Sequence, residues 1–301
     1  MNTSTRDDLT ALGLDPDYVS GLIRMALAED LTDGVDVTSV ATIPADRSDT
    51  ADLIARADGV LAGLPIATAV FDTVGEGTLR VDLHRADGDT VHRGDRLATI
   101  IGPTRRLLTA ERTALNLLCH LSGVATATRA WVDALAGTGA VVRDTRKTIP
   151  GLRALEKYAV RCGGGTNHRM SLSDQALVKD NHVVAAGGVT EAFVAVRRLF
   201  PRLPVEVECT TVEQVRQVVG AGADQLLLDN MSTDQMVEAV RVAREAGRPV
   251  RLEASGGLTL DRARAVAVTG VDFVSVGALT HSAQVLDIAM DLRGEPGAAD
   301  H

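Results

Sequence analysis

The chain has 301 residues, room for one large domain or two ordinary ones, and its 45% hydrophobic and 24% charged content excludes a disordered chain. A formal net charge of -9 argues against general nucleic-acid binding, and one Trp, two Tyr and four Phe are too few for a base-stacking platform. Three scattered cysteines, Cys119, Cys162 and Cys209, exclude a disulfide framework or zinc site and fit the reducing cytoplasm, while no apolar run approaches the roughly 18 residues of a membrane span.

In chain order, the N-terminus carries no signal-peptide pattern. DPDYVSGLIRMALAEDL spaces its apolar residues as a helix, with Asp15 at the N-cap and Pro16 at the first helical position. TADLIARADGVLAG, LRVDLHRADGDTV and DRLATIIGP predict antiparallel strands joined by DG and GD turns. GDTVHRGDRLATIIGP is similar to the hairpin of biotinyl or lipoyl carrier domains, but no lysine precedes Lys147, so nothing there can be modified. Residues 104–135 predict a long helix interrupted near Ser122 and Gly123.

A rhythm follows. AVVRDT, QALVKDN, PVEVEC, DQLLLDN, PVRLEAS and DFVSVG predict strands, and each is followed by a helical segment, the last being HSAQVLDIAMDL. Six strand–helix units imply parallel strands joined by crossover helices, and a core of Ala, Val, Leu and Ile suits such buried strands. A βα barrel or barrel-like sheet is the favoured closure, with a doubly wound sheet second.

The segment 143–179 stands apart. It holds eight basic residues (Arg143, Arg146, Lys147, Arg153, Lys157, Arg161, Arg169, Lys179) against Asp144, Glu156 and Asp174, so it is +5 and leaves -14 for the remainder of the chain. All three lysines of the protein lie in it. A local cationic patch in an acidic protein suggests a small anionic ligand. Lys157 and Arg153 lie on a helix with 3.6-residue periodicity and are assigned to a solvated or interface face; Arg161 is left open.

Barrel active sites form at the C-terminal ends of the strands. Those ends read Asp144-Thr145-Arg146-Lys147, Lys179-Asp180-Asn181, Glu206 and Glu208, Asp229-Asn230, Glu253 with Ser255-Gly256-Gly257, and Val276-Gly277-Ala278. Loops are commonly polar, but that does not explain charged residues inside strands as short as ALVKDN and VEVEC. A charge there costs several kcal/mol unless it is paired or faces a cavity. Arg146, Lys147, His168, Arg169 and Lys179 form a cationic set, and Glu208 and Asp229 an anionic one. ASGGL and SVGAL place glycine-opened backbone amides on the last two strand ends, where barrel phosphate sites often sit. The expected ligand has a phosphate at one end, other anionic groups, and hydroxyls or a metal beside the acids. Lys179 taken alone also fits a Schiff-base lysine, but its many cationic neighbours argue against that.

DTRKTIPGLRALEKYAVRCGGGTNHR, LVKDNH, VEVE, LLLDN, EASGG and VGALTHS, with ERTALNLL and LSGVAT upstream, resemble the quinolinate phosphoribosyltransferases, in that family's order and over nearly the whole chain. The resemblance implies an α/β fold: an incomplete α/β barrel of parallel strands with an N-terminal α/β sandwich domain. The expected division is residues 1–111 for the sandwich, 112–285 for the barrel, and a tail, 286–301, packing back on the sandwich. The implied reaction joins quinolinate to phosphoribosyl pyrophosphate (PRPP), releases pyrophosphate and CO2, and yields nicotinate mononucleotide for NAD synthesis, with Mg2+ on the pyrophosphate. Carried over position by position, Arg146, His168, Arg169 and Lys179 hold the quinolinate carboxylates beside Thr145. Lys147 lies between the two substrates as a catalytic group. Glu208 and Asp229 take the ribose hydroxyls and the metal, the latter largely through substrate or water, and act in catalysis. Ser255, Gly256, Gly257, Val276, Gly277 and Ala278 bind the 5′-phosphate. A homodimer or larger oligomer is implied, with Arg112 entering the neighbour's site. Ile149, Cys209 and Thr210 depart from the family pattern but remove no charged group. His182 is read as structural, and His281 is left open beside the phosphate loop. A related enzyme for another aromatic acid and a non-catalytic protein of this fold are the alternatives.

Overall fold

The computed structural model of the chain describes residues 1–32 and 34–293. Its elements in order are α1 (Thr3–Ala11), α2 (Pro16–Leu31), α3 (Val37–Thr42), β1 (Ser48–Ala55), β2 (Gly59–Val60), α4 (Leu64–Gly75), β3 (Arg80–Leu83), β4 (Thr90–Val91), β5 (Arg96–Pro103), α5 (Thr104–Ala134), β6 (Val141–Arg143), α6 (Arg153–Cys162), β7 (Ala176–Val178), α7 (Asp180–Ala186), α8 (Val189–Leu199), β8 (Val205–Cys209), α9 (Val212–Gly220), β9 (Gln225–Asp229), α10 (Thr233–Arg244), β10 (Arg251–Ser255), α11 (Ala263–Ala267), β11 (Phe273–Ser275), α12 (Ala278–His281) and β12 (Ile288–Leu292). They divide into two compact units, one of Met1–Ala127, Ala154–Gly163 and Ala283–His301, the other of Thr128–Arg153 and Gly164–Ser282. The part of the C-terminal tail from 294 onward lies outside the described residues.

The first unit is an α/β sandwich. Its sheet runs β12-β1-β5-β3, antiparallel throughout, and a short β2-β4 pair stands beside it. Asp15 caps α2 as its sequence predicts, accepting from Asp17 N, with Pro16 first in the helix. Helix α4 is apolar on most sides and buries Leu64, Ile66, Val70 and Phe71, so it has no clean one-sided periodicity to betray it. Its first amides are satisfied from a distance: Asp87 accepts from Gly63 N at 2.7 Å and Leu64 N at 3.0 Å. Tyr158 of α6 donates to the same carboxylate at 2.6 Å. Burial pushes the Asp87 carboxyl up, against these hydrogen bonds.

Three expectations change here. Helix α5 runs unbroken through Ser122 and Gly123. A glycine inside a helix costs only about 1 kcal/mol, and Gly123 has a packing reason. A Cβ there would sit 2.1 Å from the carbonyl oxygen of Gln284. Second, HSAQVLDIAMDL is not a helix. It contributes only the end of α12, and its IAMDL becomes β12, antiparallel to β1 from Ala51↔Leu292 to Ala55↔Ile288. Third, Lys157 is not on a solvated face. Glu156 and Lys157 are both fully buried, and Glu156 Oε1 meets His120 Nε2 at 2.8 Å. The periodicity marks a helix face but not what covers it.

The second unit holds six parallel strands in the order β6-β11-β10-β9-β8-β7. Helices follow the strands as crossovers. Strands β6 and β7 are the two edges and do not pair with each other, so the barrel is incomplete. The register puts Glu206 beside Gln225, Glu208 and Glu253 beside Leu227, and Ser255 beside Asp229. Side chains alternate along a strand, so all of these share one face. Val205, Val207, Leu226, Leu228, Leu252 and Ala254 take the other and are buried. One face of the sheet is therefore apolar core and the other is polar.

The clearance at Gly123 is testable. Gly123→Ala should destabilise the protein by roughly 1–3 kcal/mol in urea unfolding, because a methyl group meets a backbone oxygen that cannot move alone. An unchanged midpoint would show that the Gln284 segment yields freely.

Candidate active site

The polar face opens into a cavity of about 560 Å3 at the C-terminal ends of the strands. The loop after β6 brings Thr145, Arg146 and Lys147 to it, and the loop 163–175 brings His168 and Arg169. Lys179 at the end of β7, Glu208 on β8, Asp229 on β9, and Ser255, Gly256 and Gly257 after β10 complete the anticipated set that lines it. Val276, Gly277 and Ala278 are not in the lining, although Gly277 backs onto Lys147: a Cβ on it would lie 3.0 Å from Lys147 Cδ. Arg112 belongs to the first unit, on α5, where its side chain is 64% exposed and 3.9 Å from Glu111.

The cations are held in different ways. Lys179 Nζ donates to Glu208 Oε2 at 3.0 Å, so a cationic and an anionic member of the site are paired at the ends of the neighbouring strands β7 and β8. The backbone N–H of Lys179 donates to His182 Nδ1 at 2.9 Å, which supports the structural reading of His182. Arg169 donates to the Gln175 carbonyl at 2.9 Å. Burial, and then the neighbouring Arg146 guanidinium, hold Arg169 below its ordinary pKa. Two like charges therefore stand close together over the cavity. Lys147 is fixed through its backbone: its N–H donates to Thr145 Oγ1 at 2.9 Å and its carbonyl accepts from Thr280 Oγ1 at 2.8 Å.

His168 turns its ring inward. The Arg169 N–H donates to His168 Nδ1 at 2.6 Å, which leaves the ring proton on Nε2, 2.7 Å from Glu206 Oε2. Glu253 stands 3.6 Å from the same nitrogen and is paired to Arg143 at 2.8 Å, while Arg143 stacks 3.6 Å from the Phe273 ring centroid. Glu206 and Glu253 are only 2% and 1% exposed. Burial, then Glu206, push the Glu253 carboxyl up. A buried ionic cluster thus forms part of the cavity floor, with His168 and Glu253 in the lining. Sequence reading named Glu206 and Glu253 as strand ends but gave them no role. The alternation in VEVEC and RLEAS was the available signal.

The wall opposite the cations is set by backbone shape. Asn230 takes a left-handed φ of 53° and donates through Nδ2 to Asp229 Oδ2 at 2.8 Å, which orients that carboxylate. Gly256 has φ 92°, and a Cβ on it would lie 2.4 Å from Asn230 Oδ1 and 2.9 Å from Asn230 N. Glycine is required there by both conformation and clearance.

The profile described as "Quinolinate phosphoribosyl transferase, C-terminal domain" matches residues 124–291, and its N-terminal counterpart matches residues 36–122. The chain belongs to the quinolinate phosphoribosyl transferase family. It is 50% identical over 277 residues to the nicotinate-nucleotide pyrophosphorylase [carboxylating] of Mycobacterium leprae, covering 92% of this chain and 98% of that one. It is 42% identical over 272 residues to the probable enzyme of that name from Bacillus subtilis, covering 90% and 92%. The solved nicotinate-nucleotide pyrophosphorylase of Francisella tularensis superposes with a TM-score of 0.87 at 39% identity, over 92% of this chain and 96% of that one.

For this family member, Gly256→Ala should displace Asn230 and with it Asp229. Turnover should fall by about tenfold or more while the protein stays folded, as read by steady-state kinetics beside a thermal melt. Retained turnover would mean that the loop accommodates a side chain without moving Asp229.

Proposed function

We propose that the protein transfers the phosphoribosyl group of PRPP to the ring nitrogen of quinolinate, with decarboxylation, giving nicotinate mononucleotide, pyrophosphate and CO2 for NAD synthesis. The observation that carries this reading is the convergence of Arg146, from the loop after β6, Arg169, from the loop 163–175, and Lys179, at the end of β7, on a cavity that also presents Glu208 and Asp229. Quinolinate carries two adjacent carboxylates, and the planar fork of arginine suits such groups bidentately. In this reading Arg146, Arg169 and Lys179 take the carboxylates, with Thr145 beside them. His168, whose ring nitrogens already meet Arg169 N and Glu206, supports them from below.

Glu208 and Asp229 face the ribose. As the bond from the anomeric carbon to pyrophosphate breaks, that carbon gains positive charge, which nearby carboxylates stabilise. The ring nitrogen forms the new bond with its lone pair and becomes a pyridinium. The bond to the adjacent carboxylate then breaks, its electron pair stays on the ring carbon next to the charged nitrogen, and that carbon takes a proton as CO2 leaves. Lys147 offsets charge growing on the departing pyrophosphate. Ser255, Gly256 and Gly257, with Val276, Gly277 and Ala278, are the proposed 5′-phosphate contacts.

The residues present suit Mg2+. Glu208 and Asp229 are hard oxygen donors, and they do not belong to a three-ligand cluster among the described residues. That fits a cation held chiefly through substrate phosphates and water, as Mg2+ commonly is. When bound, it would neutralise the pyrophosphate. We further propose a homodimer or larger oligomer in which Arg112 enters a neighbour's site, since its guanidinium is exposed and lies 3.9 Å from Glu111. Among the described residues no helix is long and apolar enough to cross a membrane, and the three cysteines are free, in keeping with the proposed cytoplasmic compartment.

Loss of quinolinate absorbance with PRPP and Mg2+ tests the reaction. Turnover with quinolinate and none with nicotinate is expected, and the reverse would overturn the reading. Lys147→Ala should lower turnover by about a hundredfold or more without lowering the melting temperature. Near-normal turnover in that variant would remove Lys147 from the chemistry.

A further inference from the structure

Arg146 and Arg169 bring like charges to one cavity from different loops. Something must hold the two loops together before any anion arrives. Buried Asp144 is one tie, since its carboxylate accepts from Asn167 Nδ2 at 2.6 Å and from His168 N at 2.8 Å. The other tie comes from outside the cavity lining. Arg153 is the first residue of α6, yet its guanidinium turns away from the helix. Nε donates to Thr148 Oγ1 at 3.1 Å, Nη2 to the Arg146 carbonyl at 3.4 Å, and Nη1 to the Met170 carbonyl at 3.1 Å. Two of these acceptors belong to the loop that carries Arg146 and Lys147, and the third directly follows Arg169.

We propose that Arg153 is a positioning residue for the dicarboxylate: its single guanidinium spans the two cationic loops and fixes the separation of Arg146 and Arg169. This rests on the proposed quinolinate reaction and names a residue that acts through others in it. A planar fork with donors on three nitrogens can reach both loops at once, whereas a lysine offers one point of attachment. An Arg serving only to start α6 would have its partners on the helix. The partners of Arg153 lie instead on both sides of the gap that two positive charges tend to widen.

Arg153→Lys and Arg153→Met in the full chain test the proposal. Both should raise the KM for quinolinate by about tenfold, the equivalent of one or two lost hydrogen bonds, with the KM for PRPP changed by less than about twofold. Lysine should not rescue. Thr148→Val removes one of the three bonds and should raise the quinolinate KM by about threefold, which keeps the test available if the Arg153 variants fold poorly. Wild-type turnover of quinolinate is the control for the reaction itself. Calorimetric titration of wild type and variants with phthalate, a ring with two adjacent carboxylates, reads the clamp independently of any turnover. Weakened binding of quinolinate and phthalate with PRPP spared supports the clamp. Equal weakening of PRPP together with a lowered melting temperature, or unchanged dicarboxylate affinity in folded variants, overturns it.

Discussion

The cavity of the second unit brings the guanidinium groups of Arg146 and Arg169, two like charges, together from two different loops. Two guanidinium groups brought together in a half-enclosed cavity drive their loops apart unless the fold opposes them. Opposition comes from several directions. Asp144 fastens the loop that carries His168 and Arg169 to the end of β6, and Arg153 bridges the same loops further out. His168 Nδ1 accepts from the Arg169 amide and its Nε2–H donates to Glu206. The result is a pair of cationic loops held in place by the fold itself, and for the proposed dicarboxylate such preorganisation lowers the cost of binding.

The negative groups are placed with equal care. Because strand side chains alternate, Glu206, Glu208, Asp229 and Glu253 fall on one face, and depth separates their duties. Glu206 and Glu253 are buried and engaged with His168 and Arg143, so they support the floor. Glu208 and Asp229 reach the cavity. Lys179 is bound to Glu208 at the ends of neighbouring strands, so the two charges offset each other.

Much of this was legible in the sequence because short strands leave little room for accident. Charged residues in VEVEC and LVKDN had to be paired or face a cavity, and the cationic loops stood out against an acidic chain. The rest depended on order and coverage, which periodicity does not carry. That Arg143 reaches Glu253 follows from β11 lying between β6 and β10, a fact of sheet order rather than of local pattern. Helix α4 is apolar along most of its length, and such a run reads equally as a buried strand or a buried helix. IAMDL became a strand because the edge of β1 was available to it, far away in the chain. Lys157 was placed on the wrong kind of face because a helical period says nothing about what packs over it.

If a preassembled pair of arginines is the heart of the site, the free protein should distinguish one carboxylate from two without any help from PRPP. Isothermal titration of the wild-type protein with quinolinate and with nicotinate measures this directly. Quinolinate should bind at least about a hundredfold more tightly, since the second carboxylate engages a charge-assisted fork that nicotinate leaves unsatisfied. Equal affinity for the two acids would contradict a site built around Arg146 and Arg169.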